Sequence, residues 1–337
     1  MKEKEFKELT NKMRIDILEM VYTAGSGHIG GSFSIIDILA YIYFIDSNIK
    51  ENILKYKDEF RKKEFNELTE KRLRIDKLVL SKAHASPAIY TILLNLGAVD
   101  REQLYLFRRV NGILEGHSSK KASNFIDYSG GSLGQGFSFA VGIAKYYKFL
   151  ESKFEKEIKK IKEDIKKLKK ESKEIEKLEK LKLKLEKKEK EFSKIKNRKI
   201  YAVVGDGELD EGQNYEAMML ASKLELDNLV LIIDRNRVQL DGTTKEIMPL
   251  DPMDKKLESF GFNYIEIDGH KFLDLKKAFK KYEENFGTKK PFAIIANTIK
   301  GKGVSFMEGK AEWHGKAPSL EEYEKAIKVL GGLKKWR

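Results

Sequence analysis

A doubly wound α/β fold built on a parallel sheet is predicted by three features of the sequence. Five short apolar runs recur along the chain: KLVLS (77–81), KIYAVVG (199–205), NLVLIID (228–234), NYIEID (263–268) and PFAIIANT (291–298). Helical patterns, such as those over 5–22 and 34–46, alternate with them. Several of the runs are apolar without interruption, as expected of strands buried on both faces of a parallel sheet. Sheets of this kind take ligands at the carboxyl ends of their strands.

With 337 residues, 41% of them apolar, the chain reads as one domain over 1–337, and no internal repeat is visible. It opens MKEKEFKELTNKMRIDIL, with charges where a secretory signal carries its apolar stretch. The most apolar stretch, IIDILAYIYFI (35–45), is too short to span a bilayer. The absence of cysteine removes disulfides, thiolate metal ligands and thiol nucleophiles together, and fits a reducing compartment. A cytoplasmic protein with no membrane partner is expected.

A net charge of +13 raises the question of nucleic acid, and its distribution argues against that partner. Residues 151–197 hold 19 Lys against 11 Glu and 1 Asp, a net +7, so more than half of the excess sits in one segment. Both signs are interleaved there, aromatics are nearly absent, and no zinc, RRM or helix-turn-helix pattern appears, as in a solvated helical face.

That segment reads as an insertion with its own seam. Phe154, Ile158, Ile161, Ile165 and Leu168 recur at spacings of four and three, falter at Ser172, and restart out of phase at Ile175, Leu178, Leu181, Leu185, Phe192 and Ile195. One unbroken helix would run about 70 Å at 1.5 Å per residue and part the flanking strands. An antiparallel coiled-coil hairpin turning near Glu171–Glu174 fits better, although no Gly or Pro marks that turn and a single long helix stays open.

The run KIYAVVG ends in GDG (205–207), and NLVLIID ends in DRN (234–236). With a crossover helix over about Gly212–Lys223 between the two strands, a right-handed connection brings Asp206 and Asn236 to the same sheet edge. Gly205 and Gly207 allow a tight turn and a close approach by a ligand, and the crossover helix offers N-terminal amides to an anion such as diphosphate. A hard divalent cation bridging carboxylate, amide oxygen and diphosphate suits this set. GDG alone is equally a plain turn; its partner one βαβ unit downstream favours the ligand.

Four of the five histidines lie among small or polar residues outside the apolar periodicities: His28 in SGHIGGS, His84 in KAHASPA, His117 in EGHSS and His314 in EWHG. Neutral imidazoles in such loops can hold sugar hydroxyls and relay protons. His270, in DGHKFLDL, reads as part of a helix N-terminus.

Seven segments in order, AGSGHIGGSFSIIDIL, LSKAHASPAIY, FRRVNGILEGH, GGSLGQGFSFAVGIA, GDGELDEGQNYEA, NLVLIIDRNRVQLDG and KGKGVSFMEGKAEWHGKAP, resemble the N-terminal region of transketolase from about residue 10 to 325. The resemblance implies that Asp206, Asn236 and the Val238 carbonyl bind Mg²⁺, with Ca²⁺ or Mn²⁺ as substitutes, and that Gly207 approaches the diphosphate of thiamine diphosphate. By the same matching Gly131, Ser132 and Leu133 line the cofactor pocket. His84 and His117 face cofactor and substrate, His28 and His314 contact the sugar, His314 also borders the cofactor, and Glu211 is an acid at the subunit contact. Ala83 and Ser118 stand where the family usually has glycine and proline, which puts the two nearby loops in doubt.

A full transketolase continues into a pyrimidine-binding domain, with the glutamate that activates the cofactor, and then a third domain. The resemblance here is to the smaller, diphosphate-binding subunit of a split transketolase. It implies a complementary C-terminal subunit, an α2β2 assembly, sugar phosphate substrates, and transfer of a two-carbon ketol unit from a ketose phosphate to an aldose phosphate. Two other readings stay open: a thiamine diphosphate ketol-transferase with an unusual sugar, and a non-catalytic interaction protein working through the hairpin. Deoxyxylulose-phosphate synthase fits less well, because SKAHASPA is of the transketolase type.

Overall fold

Five strands, all parallel, form one sheet in the order β1-β2-β3-β5-β4: β1 (Lys77–Leu80), β2 (Ile200–Gly205), β3 (Leu229–Arg235), β4 (Asn263–Asp268) and β5 (Phe292–Asn297). The structure is a computed structural model and describes residues 1–63, 65–171 and 175–331. Before β1 come α1 (Glu3–Ala24), α2 (Ile29–Tyr41) continued by a π-helical turn to Asp46, α3 (Ile49–Lys62) and the one-turn α4 (Thr69–Arg72). Between β1 and β2 lie α5 (Ser86–Asn95), α6 (Gln135–Glu171) and α7 (Ile175–Ile195). α8 (Gly212–Lys223) crosses from β2 to β3, α9 (Thr244–Ile247) and α10 (Met253–Ser259) precede β4, α11 (Phe272–Glu284) joins β4 to β5, and α12 (Leu320–Val329) follows β5.

All five apolar runs are strands, and the alternation of side chains along them splits the core in two. Tyr201, Val203, Val230, Ile232 and Ile294 pack with α1, α2, α5 and α11 on one face. Ile200, Ala202, Val204, Leu231, Ile233 and Ile295 pack with the first half of α6, α8 and α10 on the other. Every residue of β1 and β2 is buried, whereas β4, at the sheet edge, is mostly half-buried, which is why NYIEID carries polar residues.

α2 starts five residues before the pattern at 34 suggests. Every residue from Ile29 to Tyr41 is buried, so the helix has no polar face from which to read a period. With its π turn it is 18 residues long and apolar enough to cross a membrane by length and composition, but 83% of it lies inside the protein core.

α6 packs on the sheet through Phe137, Ala140, Val141, Ala144 and Tyr147, then leaves it to pair with α7. The two helices run antiparallel: the Phe154 and Phe192 rings stack at 5.9 Å, and Lys188–Glu157 and Lys162–Glu189 pair at 2.7 Å each. Ile158, Ile161, Ile165 and Ile195 are buried along the seam. Glu171 closes α6, and residues 172–174 of the expected turn lie outside the described residues. At the base, the Asn197 amide donates to Glu151 Oε1 at 2.6 Å, and Asn197 takes a left-handed φ of 56°, a common helix exit. The ends of the excursion therefore meet where β2 begins. Replacing residues 152–196 with a short Gly/Ser linker should leave the sheet folded, with near-UV circular dichroism retained and one thermal transition. Loss of that signal would mean that the helix pair is built into the core.

Candidate active site

The β2–β3 register sets Gly205 beside Asp234, so Asp206 and Asn236 leave the sheet at one edge. Asp206 is buried and accepts from the Gly207 amide at 2.8 Å and the Arg237 amide at 2.5 Å. Gly207 belongs to a 3-10 turn over Gly207–Asp210 that precedes α8, so the amide bonded to Asp206 Oδ1 comes from this turn and not from the crossover helix. Burial pushes the Asp206 carboxyl up to about 6, and the neighbouring Asp234 adds to the shift. Asp206, Asn236, Val238 and Thr298 line a cavity of about 680 Å³.

Below this edge lies a polar knot that the sequence does not advertise. Asp234 is fully buried and accepts from Lys82 Nζ at 2.5 Å, Ser34 Oγ at 2.7 Å, Asn236 Nδ2 at 3.0 Å and Thr298 Oγ1. Burial opposes its charge, yet Lys82 and these bonds hold it below the usual carboxylate range. The bond from Asn236 Nδ2 orients that amide, whose Oδ1 accepts from the Val238 amide at 3.1 Å. Glu208, also buried, accepts from Ser81 Oγ, the Gly134 amide at 3.0 Å and the Gly205 amide at 3.1 Å, tying β1, β2 and the start of α6 together.

The four loop histidines form one cluster. The His28 ring centre lies 5.2 Å from His84, 5.9 Å from His117 and 5.4 Å from His314, and His84 and His314 are 5.2 Å apart. Lys300 links this cluster to the sheet edge, donating to the Val238 carbonyl at 3.0 Å with its Nζ 2.9 Å from His314 Nδ1. Burial, then the charge of Lys82, brings Lys300 down to about 8. All four imidazoles are pushed towards the neutral form: His28 to about 4 by burial and Arg108, His314 to about 3 by burial and Lys300. Burial with Lys82 lowers His84 well below its ordinary value, and burial with Arg108 lowers His117.

A lowered histidine pKa has a defined stability signature. Below about pH 6.5 the unfolded chain takes up a proton that folded His84 refuses, so this residue's contribution costs stability as pH falls. Asp206 acts in the opposite sense between 3.8 and about 6, because its folded form keeps a proton that the unfolded form releases. Comparison with His84→Gln isolates the imidazole. From pH 7 to pH 5 the parent should lose more stability than the variant in denaturant titrations. Equal losses would show that His84 is not held neutral.

Other expected site residues fall as follows. Gly131 and Ser132 are exposed and Leu133 is half-buried, in the loop entering α6; nothing lies within 4 Å of where a Gly131 Cβ would stand. Glu211 is exposed at the start of α8, against Gly134. His270 lies outside the cluster, just before α11, and does more than begin a helix. Its Nδ1 is 2.7 Å from Asp37 Oδ2, its Nε2 accepts from the Ile299 amide at 2.9 Å, and Asp37 also pairs with Arg14 at 2.6 Å. Lys82, Asp234, Lys300 and Glu208 escaped the sequence reading. Their only signal is position, two residues before His84, at the head of DRN, in KGKG and inside GDGELDE.

The family described as transketolase, thiamine diphosphate binding domain, matches residues 6–166 and 178–335, leaving only the tip of the helix pair unmatched inside that span. The chain belongs to this transketolase family. It is 32% identical to one of the subunits of the apulose-4-phosphate transketolase of Phocaeicola vulgatus, over 95% of this chain and 92% of the relative. It is 33% identical to the 6-deoxy-6-sulfo-D-fructose transketolase subunit SqwG of a Clostridium species, over 95% and 94%. The solved transketolase of Campylobacter jejuni superposes with a TM-score of 0.72 at 27% identity, covering 98% of this chain and 43% of that one. The doubly wound sheet is thus that of a thiamine diphosphate-binding transketolase domain, and the chain spans less than half the length of the solved transketolase.

Proposed function

We propose that this chain is the diphosphate-binding subunit of a split transketolase, working in the cytoplasm with a separate pyrimidine-binding subunit in an α2β2 assembly. The observation that carries this reading is the sheet edge: the buried Asp206, the Asn236 amide oriented by Asp234, and Val238 line one cavity. Among the described residues, no group of three or more His, Cys, Asp or Glu is arranged to hold a metal. A divalent ion here would draw on Asp206, Asn236 Oδ1 and the Val238 carbonyl, and on the cofactor's own diphosphate. The all-oxygen set suits Mg²⁺, with Mn²⁺ or Ca²⁺ as substitutes. Asp206 fits that task, since its raised pKa marks a buried carboxylate without a side-chain cation of its own, Lys82 being bonded to Asp234.

When bound, thiamine diphosphate supplies the carbon nucleophile that takes up a two-carbon ketol unit. The chain's own groups hold and orient. Gly207 approaches the diphosphate, the open loop at Gly131–Leu133 leaves room for the cofactor, and His84 and His117 border cofactor and substrate. His28 and His314 hold sugar oxygens, His314 also bordering the cofactor, and Glu211 sits at the subunit contact. Because the imidazoles are neutral, each ring carries one N–H donor and one acceptor nitrogen.

Relatives of matching length are named for apulose 4-phosphate and 6-deoxy-6-sulfo-D-fructose, which supports a ketol-transferase acting on an unusual sugar. A purely structural role for the chain would leave the histidine cluster and the Asp206 edge without a purpose. The test is reconstitution: the chain alone should show no ketol transfer and should gain it when the complementary subunit, thiamine diphosphate and Mg²⁺ are added. Robust turnover by the chain alone would overturn the split-site reading.

A further inference from the structure

Arg108 is a half-buried guanidinium with no carboxylate at ion-pair distance among the described residues, and its seat is built for it. The backbone at Arg108 takes a left-handed φ of 58°, an unusual conformation for a bulky side chain. The guanidinium lies against Gly116, where a Cβ would stand 2.8–2.9 Å from it. From there Nη1 donates to Ser26 Oγ at 2.6 Å, and Nη2 lies 3.3 Å from His28 Nδ1. A guanidinium carries donors only. The imidazole nitrogen facing it must therefore be the acceptor, and in a neutral ring the proton then resides on the other nitrogen.

We propose that Arg108 is a positioning residue that fixes His28 in the Nε2-protonated tautomer, making His28 a hydrogen-bond donor to a sugar oxygen and not a base. The neutrality this requires has its own support: burial and Arg108 lower the His28 pKa to about 4. His117, Lys300 and Lys82 act in the same direction, and the His84 and His314 rings also pack around His28. A sugar carbonyl under nucleophilic attack would gain negative charge on its oxygen, which an N–H donor stabilises without giving up its proton. This role rests on the reading that His28 faces the sugar. The tautomer does not, so the two can fail separately.

The experiment reads the tautomer by long-range ¹H–¹⁵N correlation on the full chain labelled with ¹⁵N-histidine at pH 7.5, with His28→Gln assigning the signal. In the parent, Nε2 of His28 should be pyrrole-type and Nδ1 pyridine-type, with a preference of roughly tenfold, as expected of one charge-assisted hydrogen bond. Arg108→Met should shift the ring to comparable populations of both tautomers. Gly116→Ala should do the same with Arg108 still present, because the new Cβ displaces the guanidinium. A proton on Nδ1 in the parent would overturn the proposal, as would an unchanged preference in either folded variant.

Discussion

Replacing Asp206 with alanine should abolish Mg²⁺-dependent binding of thiamine diphosphate in the two-subunit assembly while leaving the fold intact. The carboxylate is one of three oxygen groups at the β2–β3 edge and the only one with a formal charge. Its hydrogen bonds come from two backbone amides, and Lys82, whose charge favours it from nearby, is bonded to Asp234 instead. Burial raises its pKa from 3.8 to about 6, so at neutral pH the metal-free chain carries an unfavourable buried charge on the order of 3 kcal/mol. Asp206→Asn keeps an acceptor for an amide and should raise the stability of the metal-free chain at pH 7 while removing cofactor binding. Titration calorimetry with and without Mg²⁺ measures the binding. Unchanged affinity in Asp206→Ala would remove this residue from the metal site.

Alanine at His28 or at His314 should lower ketol transfer by about 10²–10⁴-fold, the usual range for a lost acid–base or polar catalytic group, with little change in cofactor binding. Both rings lie within one cluster of four imidazoles, and both are neutral across the working range. His270→Ala is the control. That ring is bonded to Asp37 and to the Ile299 amide, so its loss should lower thermal stability and leave turnover close to the parent's. Equal losses of turnover at His270 and His28 would mean that the cluster has been misassigned. Steady-state kinetics of the reconstituted enzyme and melting curves together separate the two effects.

The strands were legible because a parallel strand buried on both faces is a run of apolar residues and little else. The α6–α7 pair was legible because a two-helix seam needs its own spacing, and Phe154 against Phe192 shows the seam closed. The start of α2 was not, since a helix buried all round has no period. GDG and DRN pointed to the sheet edge because each follows directly on a strand. The charges that hold the edge together were hidden for another reason. Lys82 and Asp234 are 152 residues apart, and a lone lysine in a polar loop looks like surface until the fold places a carboxylate on it. Arg108 was concealed in the same way, its meaning depending on a glycine eight positions later that leaves room for the guanidinium.

The central claim is that the ends of β2 and β3 hold a metal–diphosphate site, and anomalous scattering from Mn²⁺ tests it most directly. Crystals of the chain with its partner subunit, thiamine diphosphate and Mn²⁺ should show one anomalous peak in contact with the Asp206 carboxylate, Asn236 Oδ1 and the Val238 carbonyl oxygen. A bound cofactor with its metal elsewhere, or with its diphosphate away from this edge, would contradict the account.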